Sequence, residues 1–268
     1  MPGRNGHGVN GREYPPLPAV PTREELENAG IRIVVGVPME RNVPDSSFPC
    51  FWNLARQGWP LIDHVYGRTD TNRNRMARVL RDELPDFTHL CMLDLDHIHP
   101  PDTIGKLARW VLQDPGRLVV GGLHFRRGEP FDPCAFCYGP DGDLHAPVEW
   151  QQGLNEVDAI GHGSILIHRS VFDILPVPWW AYSYVHAEKF LYPSEDMYFS
   201  HLCRQFGIKM YVDTTQTSPH LITSAVDESS FRAFLNDHPH KVIRPDGNEK
   251  QHKPKVKRKG GKRVRAKA

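Results

Sequence analysis

Two acidic residues two apart, Asp94 and Asp96, close the apolar run Thr88-His-Leu-Cys-Met-Leu-Asp-Leu-Asp96. Side chains at i and i+2 of a strand share a face. Two carboxylates so placed can address one hard cation and leave its other positions to phosphate oxygens and water. An isolated D-x-D is more often a solvated surface turn, but this one follows a buried strand and precedes a helix, where open α/β sheets place their ligands. His97 and His99 crowd the pair and could compete for the same metal. Cys134-Ala-Phe-Cys137, with His124 or His145, invites a zinc reading, yet no second C-x-x-C pair supports it. Gly161-His-Gly163 opens no G-x-x-x-x-G-K-[ST] pattern and is not a phosphate loop.

The elements that must carry these residues can be read from apolar periodicity. Ile31-Arg-Ile-Val-Val-Gly-Val37 is a near-continuous apolar run of the buried parallel-strand kind, ending in the polar turn Pro38-Met-Glu40. Phe48, Phe51, Trp52 and Ala55 fall at helical spacing, and that stripe is expected to face the core. Leu61–Val65 reads as a short strand, and Met76, Val79, Leu80 and Leu84 as one face of a helix closed by Pro85. After the acidic pair, Pro100-Pro101 halts the strand and Asp102 is placed to cap a helix reaching Gln113, with Ile104, Leu107, Ala108, Val111 and Leu112 on its apolar face. Leu118–Gly122 is the next strand. This β-α-β-α-β-α-β order argues for a mostly parallel sheet covered by helices.

The second half is less regular. A hairpin is expected at Gly139-Pro-Asp-Gly142, strand segments at Val157–Ile160 and Ser164–His168, and a short helix at Ser170–Leu175. An aromatic stretch follows, with Trp179, Trp180, Tyr182, Tyr184 and Tyr192. A helix opening at Ser194-Glu195-Asp196 ends at Gly207, and the strand Ile208–Val212 is followed by a loop with His220.

The 268 residues are enough for one large domain with appendages, and their net charge of +1 hides two opposite parts. From Lys250 to Ala268, ten of nineteen residues are Lys or Arg and none is acidic; positions 1–249 carry 23 basic and 32 acidic residues, a net of −9. Residues 1–29, rich in Gly, Pro and Arg, read as an arm or a strap over the body, 30–245 as the folded domain and 246–268 as a disordered polybasic tail. Five cysteines, no apolar run approaching a membrane span and no signal peptide point to a soluble chain in a reducing compartment, the cytoplasm (of a host, if the source is viral).

In this order, Val35-Gly-Val-Pro38-Met-Glu40, Leu93-Asp94-Leu-Asp96, Gly161-His-Gly163-Ser-Ile-Leu-Ile-His-Arg169 and Ser194-Glu195-Asp196 resemble the motifs of a glycosyltransferase of the GT-A fold. They are most similar to family 2 and its bacterial and phage relatives, over residues 31–222. The resemblance implies an α/β, Rossmann-like, mostly parallel central sheet flanked by helices, with a small irregular acceptor-side region. It implies that Pro38 and Glu40 hold the base or ribose of a nucleotide sugar, a UDP-sugar, and that Arg73 and Asn74 approach the nucleotide. Asp94 and Asp96 would hold Mn²⁺ or Mg²⁺ against the diphosphate, Asp94 thereby also meeting the donor, with His220 as third ligand. Asp196 would be the general base of an inverting transfer, taking the acceptor hydroxyl's proton. The glycine pair would let backbone approach the sugar or acceptor, and the aromatic stretch could form an acceptor platform.

The acceptor expectation comes from the tail. A disordered polycation on an acidic body suits a polyanion, since each neutralised phosphate releases counterions. The candidate acceptor is a hydroxylated base in DNA, such as 5-hydroxymethylpyrimidine, flipped out of the stack. The alternatives are a cell-surface or lipid-linked glycan as acceptor, a catalytically silent GT-A module that binds nucleic acid, and a metal-dependent nucleotidyltransferase. Against silence stands the presence of Asp94, Asp96 and Asp196 together.

Overall fold

A computed structural model describes residues 16–39, 46–62, 67–182, 194–222 and 225–238. Glu40, Tyr184, Tyr192 and the polybasic tail lie outside them, as do most of the N-terminal arm and the end of the Leu61–Val65 strand.

The chain opens with an extended strap, residues 16–22, and α1 (Arg23–Asn28), whose start is fixed by a reciprocal capping box between Thr22 and Glu25. Then follow β1 (Ile33–Gly36), α2 (Phe48–Arg56), β2 (Leu61–Ile62), α3 (Thr69–Arg78) running on into a π-helical turn at Val79–Glu83, β3 (His89–Leu93), α4 (Thr103–Gln113) and β4 (Val119–Leu123). The second half holds β5 (Ala135–Tyr138), β6 (Leu144–His145), β7 (Leu154–Val157), β8 (Ala159–Ile160), β9 (Ser164–His168), α5 (Val171–Ile174), α6 (Glu195–Gln205), β10 (Met210–Thr217), β11 (His220–Leu221), β12 (Ala225–Val226) and α7 (Glu228–Asp237).

Seven strands form the central sheet in the order β2-β1-β3-β9-β4-β10-β7. β2, β1 and β3 pair in parallel, as do β4 and β10, whereas β9 runs antiparallel between β3 and β4, and β7 antiparallel on the edge of β10. The expected GT-A-like α/β sheet is therefore present, mostly parallel with two reversed strands. Every residue of β1, β3 and β4 is buried, which is why these strands read as apolar runs rather than alternating ones. One core cluster packs Met76, Leu80, Trp179 and Phe199 on one face; the other packs Leu54, Ile104, Leu107 and Leu26 on the opposite face.

Two expectations need correction. In α2 the buried residues are Cys50 and Leu54, while Phe48 and Trp52 are mostly exposed and stack on each other at 6.2 Å. The aromatic spacing was helical, but the core claims the face a half-turn away. Asp102 stands at the start of α4 without capping it, its carboxylate going to Lys106 at 3.1 Å; Thr103 is tied to the Pro100 carbonyl instead.

The strap lies on α4. Pro18 accepts from Arg109 at 3.5 Å, and Arg109, nearly fully buried, is held by Asp213 at 2.7 Å. A β-carbon on Gly105 would stand 2.7 Å from Val20 and 3.0 Å from the Pro21 carbonyl, so this mid-helix glycine is what lets the strap approach. Among the described residues no helix is long and apolar enough to cross a membrane.

Candidate functional site

The parallel strands β1 and β3 end side by side, and the polar cluster of the molecule begins there. β3 stops at Leu93, so Asp94 and Asp96 stand in the turn beyond it rather than on the strand. The i, i+2 rule therefore does not hold them on one face, and their carboxylates part.

Asp94 turns inward. Its backbone N–H donates to the Gly163 carbonyl at 2.9 Å, and Arg73 donates to one carboxylate oxygen at 3.0 Å. Arg73, expected near the nucleotide, is only 1% exposed. It reaches Glu195 at 3.5 Å and Asp196 at 3.7 Å, so three carboxylates share one guanidinium. Burial pushes the Asp94 carboxyl up to about 7 despite Arg73. Burial also raises Asp196. For Arg73 burial works against the charge, but Asp94, Asp196 and Glu195 outweigh it and hold the guanidinium firmly charged.

Asp96 turns to histidines. One oxygen lies 3.0 Å from Nδ1 of His97, the other 3.3 Å from Nε2 of His220 and 3.2 Å from Arg127. Burial would raise this carboxyl, but hydrogen bonds from His220 and His97 hold it well below the usual range. His220 reaches it because β11 pairs back beside the turn: His97 bridges His220, and Leu221 donates to the Asp96 carbonyl at 2.7 Å. The His97 and His220 rings stack at 4.1 Å. Asp96, His97 and His220 each offer a ligand atom within 4.8 Å of the others, and Asp94 is not in this group.

The donor set fits a divalent cation. The Phe125 carbonyl accepts from His220 Nδ1 at 2.9 Å and fixes the ring with Nε2 toward Asp96. A cation placed between Nε2 and the Asp96 carboxylate would be held by both in place of the hydrogen bond they now share. Two imidazoles and a carboxylate suit manganese, cobalt or zinc better than magnesium, which favours oxygen alone.

Asp196 opens α6, whose Ser194 cap accepts from Met197. One Asp196 oxygen accepts from the His162 backbone at 3.3 Å; the other is buried without a hydrogen-bond partner. Gly161 and Gly163, expected to make room for sugar or acceptor, make room for imidazoles: added β-carbons would stand 2.6 Å from His124 and 2.7 Å from His97.

Asn74, expected to approach the nucleotide, is engaged by the aromatic stretch. Its amide donates to the Trp180 carbonyl at 2.6 Å, and its oxygen accepts from the Trp179 and Trp180 backbone. Those two indoles are buried core, not an acceptor platform. Pro38 is buried beside an apolar cavity of about 290 Å³ at the carboxyl end of β1, lined among others by Val35, Val37, Met39, Phe51, Trp59 and Leu95. Cys134 and Cys137 stand three apart at β5, on opposite faces, so they make no shared metal site. Sequence reasoning missed Arg127 altogether, and saw His97 only as a competitor.

No protein-family model matches the chain, and no curated protein matches it. Among solved structures, A197 from STIV is similar with a TM-score of 0.54 and 16% identity, over 75% of this chain and 92% of that one. At that identity the likeness speaks for the fold. A glycosyltransferase involved in the glycosylation of the major capsid of PBCV-1 matches at TM-score 0.31 and 10% identity, over 75% and 98% of the two chains. A Drosophila β-1,4-galactosyltransferase 7 variant, in complex with manganese, UDP-Gal and xylobiose, matches at 0.32 and 14%, over 72% and 71%.

Proposed function

We propose that this chain is a metal-dependent glycosyltransferase that moves a sugar from a nucleotide sugar, a UDP-sugar, to an acceptor hydroxyl with inversion. The observation that carries the reading is the Asp96–His97–His220 group at the end of β3, within one turn of the buried Arg73–Asp94–Asp196 cluster. These three residues would hold Mn²⁺ in preference to Mg²⁺. Bound there, the cation would offset charge developing on the departing diphosphate.

The rest falls to the chain's own groups. The apolar cavity beside Pro38 receives the nucleobase, and Glu40, outside the described residues, is the proposed polar contact to base or ribose. Asp196, raised by burial, takes the acceptor's proton. Asp94 acts from within, keeping Arg73 and through it Asp196 in place. The acceptor we propose is a hydroxylated base in DNA, supported by the ten Lys and Arg between 250 and 268.

The test is a panel of UDP- and GDP-sugars incubated with Mn²⁺, Mg²⁺ or EDTA, read as donor hydrolysis without acceptor and transfer to hydroxymethylated or unmodified duplexes. Hydrolysis in Mn²⁺ that EDTA stops is the expected result. Full-rate turnover in EDTA overturns the metal dependence, and no turnover with any donor overturns the enzyme reading. Label reaching a glycan but no DNA overturns the acceptor alone.

A further inference from the structure

One charged side chain at this centre has no place yet. Arg127 follows β4 in a loop closed by Arg126, whose N–H donates to the Asp132 carbonyl at 2.9 Å, and by the Phe125–Pro133 bridge. That closure sets Arg127 at the mouth of the site, over half exposed, with its guanidinium 3.2 Å from the Asp96 oxygen that also faces His220. Among the described residues no Lys or other Arg comes within 4 Å of Asp96. The oxygen a cation would claim is thus already shared with a cation the chain supplies.

We propose that Arg127 is the built-in counter-ion of Asp96 before metal binds, and that metal binding releases it to hold the diphosphate of the donor. Two arguments converge. A metal binding Asp96 neutralises the carboxylate, so the guanidinium loses its partner while remaining tethered at the mouth. The centre is also strongly acidic: Asp94, Glu195 and Asp196 already engage the one buried guanidinium, Arg73, and Asp96 adds a fourth carboxylate beside them. A diphosphate approaching it needs a second free cation besides the metal, and a planar fork suited to phosphate oxygens stands at the mouth. Arg127 therefore opposes metal binding and favours nucleotide binding. A purely structural arginine would do neither.

This inference rests on the glycosyltransferase reading, and the experiment separates the two. Full-length wild type, Arg127→Gln and Arg127→Lys are titrated calorimetrically with Mn²⁺ alone, then with UDP at saturating Mn²⁺; thermal unfolding checks the fold. Removing a half-exposed ion pair should tighten Mn²⁺ by about two- to fivefold in Arg127→Gln. Losing a charge-assisted hydrogen bond to phosphate should weaken UDP by about ten- to a hundredfold. Arg127→Lys, which keeps the charge but loses the fork, should recover part of the UDP affinity and stay below wild type. If wild type binds both ligands and Arg127→Gln matches it, or binds Mn²⁺ more weakly, this inference is overturned alone. If wild type binds neither Mn²⁺ nor UDP, the functional reading falls and this one with it.

Discussion

The indole N–H of Trp180 donates to Nδ1 of His162 at 2.9 Å, and so occupies the histidine nitrogen that faces Asp196. That same Nδ1 lies 3.2 Å from the Asp196 oxygen left without a hydrogen-bond partner. Burial keeps the His162 ring neutral, so its lone pair is spent on Trp180 and it has no proton to give the carboxylate. A buried indole thereby protects the basicity of the proposed base.

Trp180→Phe should undo this while keeping the ring stacked 4.7 Å from Phe199. His162 is then free to donate through Nδ1, which favours ionised Asp196. The acidic limb of the pH–rate profile should move down by about one unit and the plateau rate fall by up to about tenfold, as a weaker base implies. An unmoved limb would remove Asp196 from the role of base.

Asp94 and Asp96 should separate on substitution. Asp96→Asn removes a ligand and should weaken Mn²⁺ beyond the about 10- to 100-fold typical of losing an outer contact. Asp94→Asn should leave Mn²⁺ affinity within about threefold, since its carboxylate faces Arg73 rather than the ligand group, while turnover is still lost. Equal loss of Mn²⁺ in both variants would return Asp94 to the metal.

Arg73→Leu leaves Asp94, Glu195 and Asp196 without their shared cation. Stranding buried charge costs about 3–5 kcal/mol, so denaturant midpoints should fall steeply at pH 7.5. A carboxyl whose folded pKa is raised, as those of Asp94 and Asp196 are, destabilises when ionised and stops doing so as pH falls through that pKa. The gap between variant and wild type should accordingly narrow between pH 7.5 and 5. A gap independent of pH would mean the loss is one of packing.

His89, 3% exposed at the start of β3, tests acid sensitivity away from the site. Burial, with the neighbouring His168, holds its pKa at about 3 against an ordinary 6.5. Folding thus excludes a proton that the unfolded chain binds below 6.5. Its contribution is present above that pH and is lost as pH falls toward 3, at about 1.4 kcal/mol per unit once well below 6.5. His89→Leu should flatten the stability profile between pH 6 and 4 by about that slope in urea titrations.

The sheet was legible where burial is two-sided. β1, β3 and β4 announce themselves as apolar runs, and the Ile104–Val111 stripe fixes α4. The reversed direction of β9 was not legible, because an apolar strand reads alike both ways and only its partners orient it. The site divided in the same manner. Asp96 and His220 carried a motif and a position after the last strand, whereas Arg73 meets Asp94 across 21 residues of chain that no local pattern links. Arg127, one of two adjacent arginines in a loop, has no spacing to betray it. The Phe48–Trp52 stripe misled because helical periodicity gives a face and not which face the core will take.

The place of β9 has a consequence for how the chain is made. It fills the gap between β3 and β4, so those two never pair with each other, and each waits for residues 164–168. A growing chain that has released β1 through β4 holds the half-sheet β2-β1-β3 and a lone β4, with a vacant lane between them. Such unpaired apolar edges are what intermediates expose to aggregation. Synthesis past His168 joins β4 to the β2-β1-β3 half, and only synthesis past Thr217, which releases β10, lets the nascent protein close its sheet; pauses before those points are where folding helpers would be needed most.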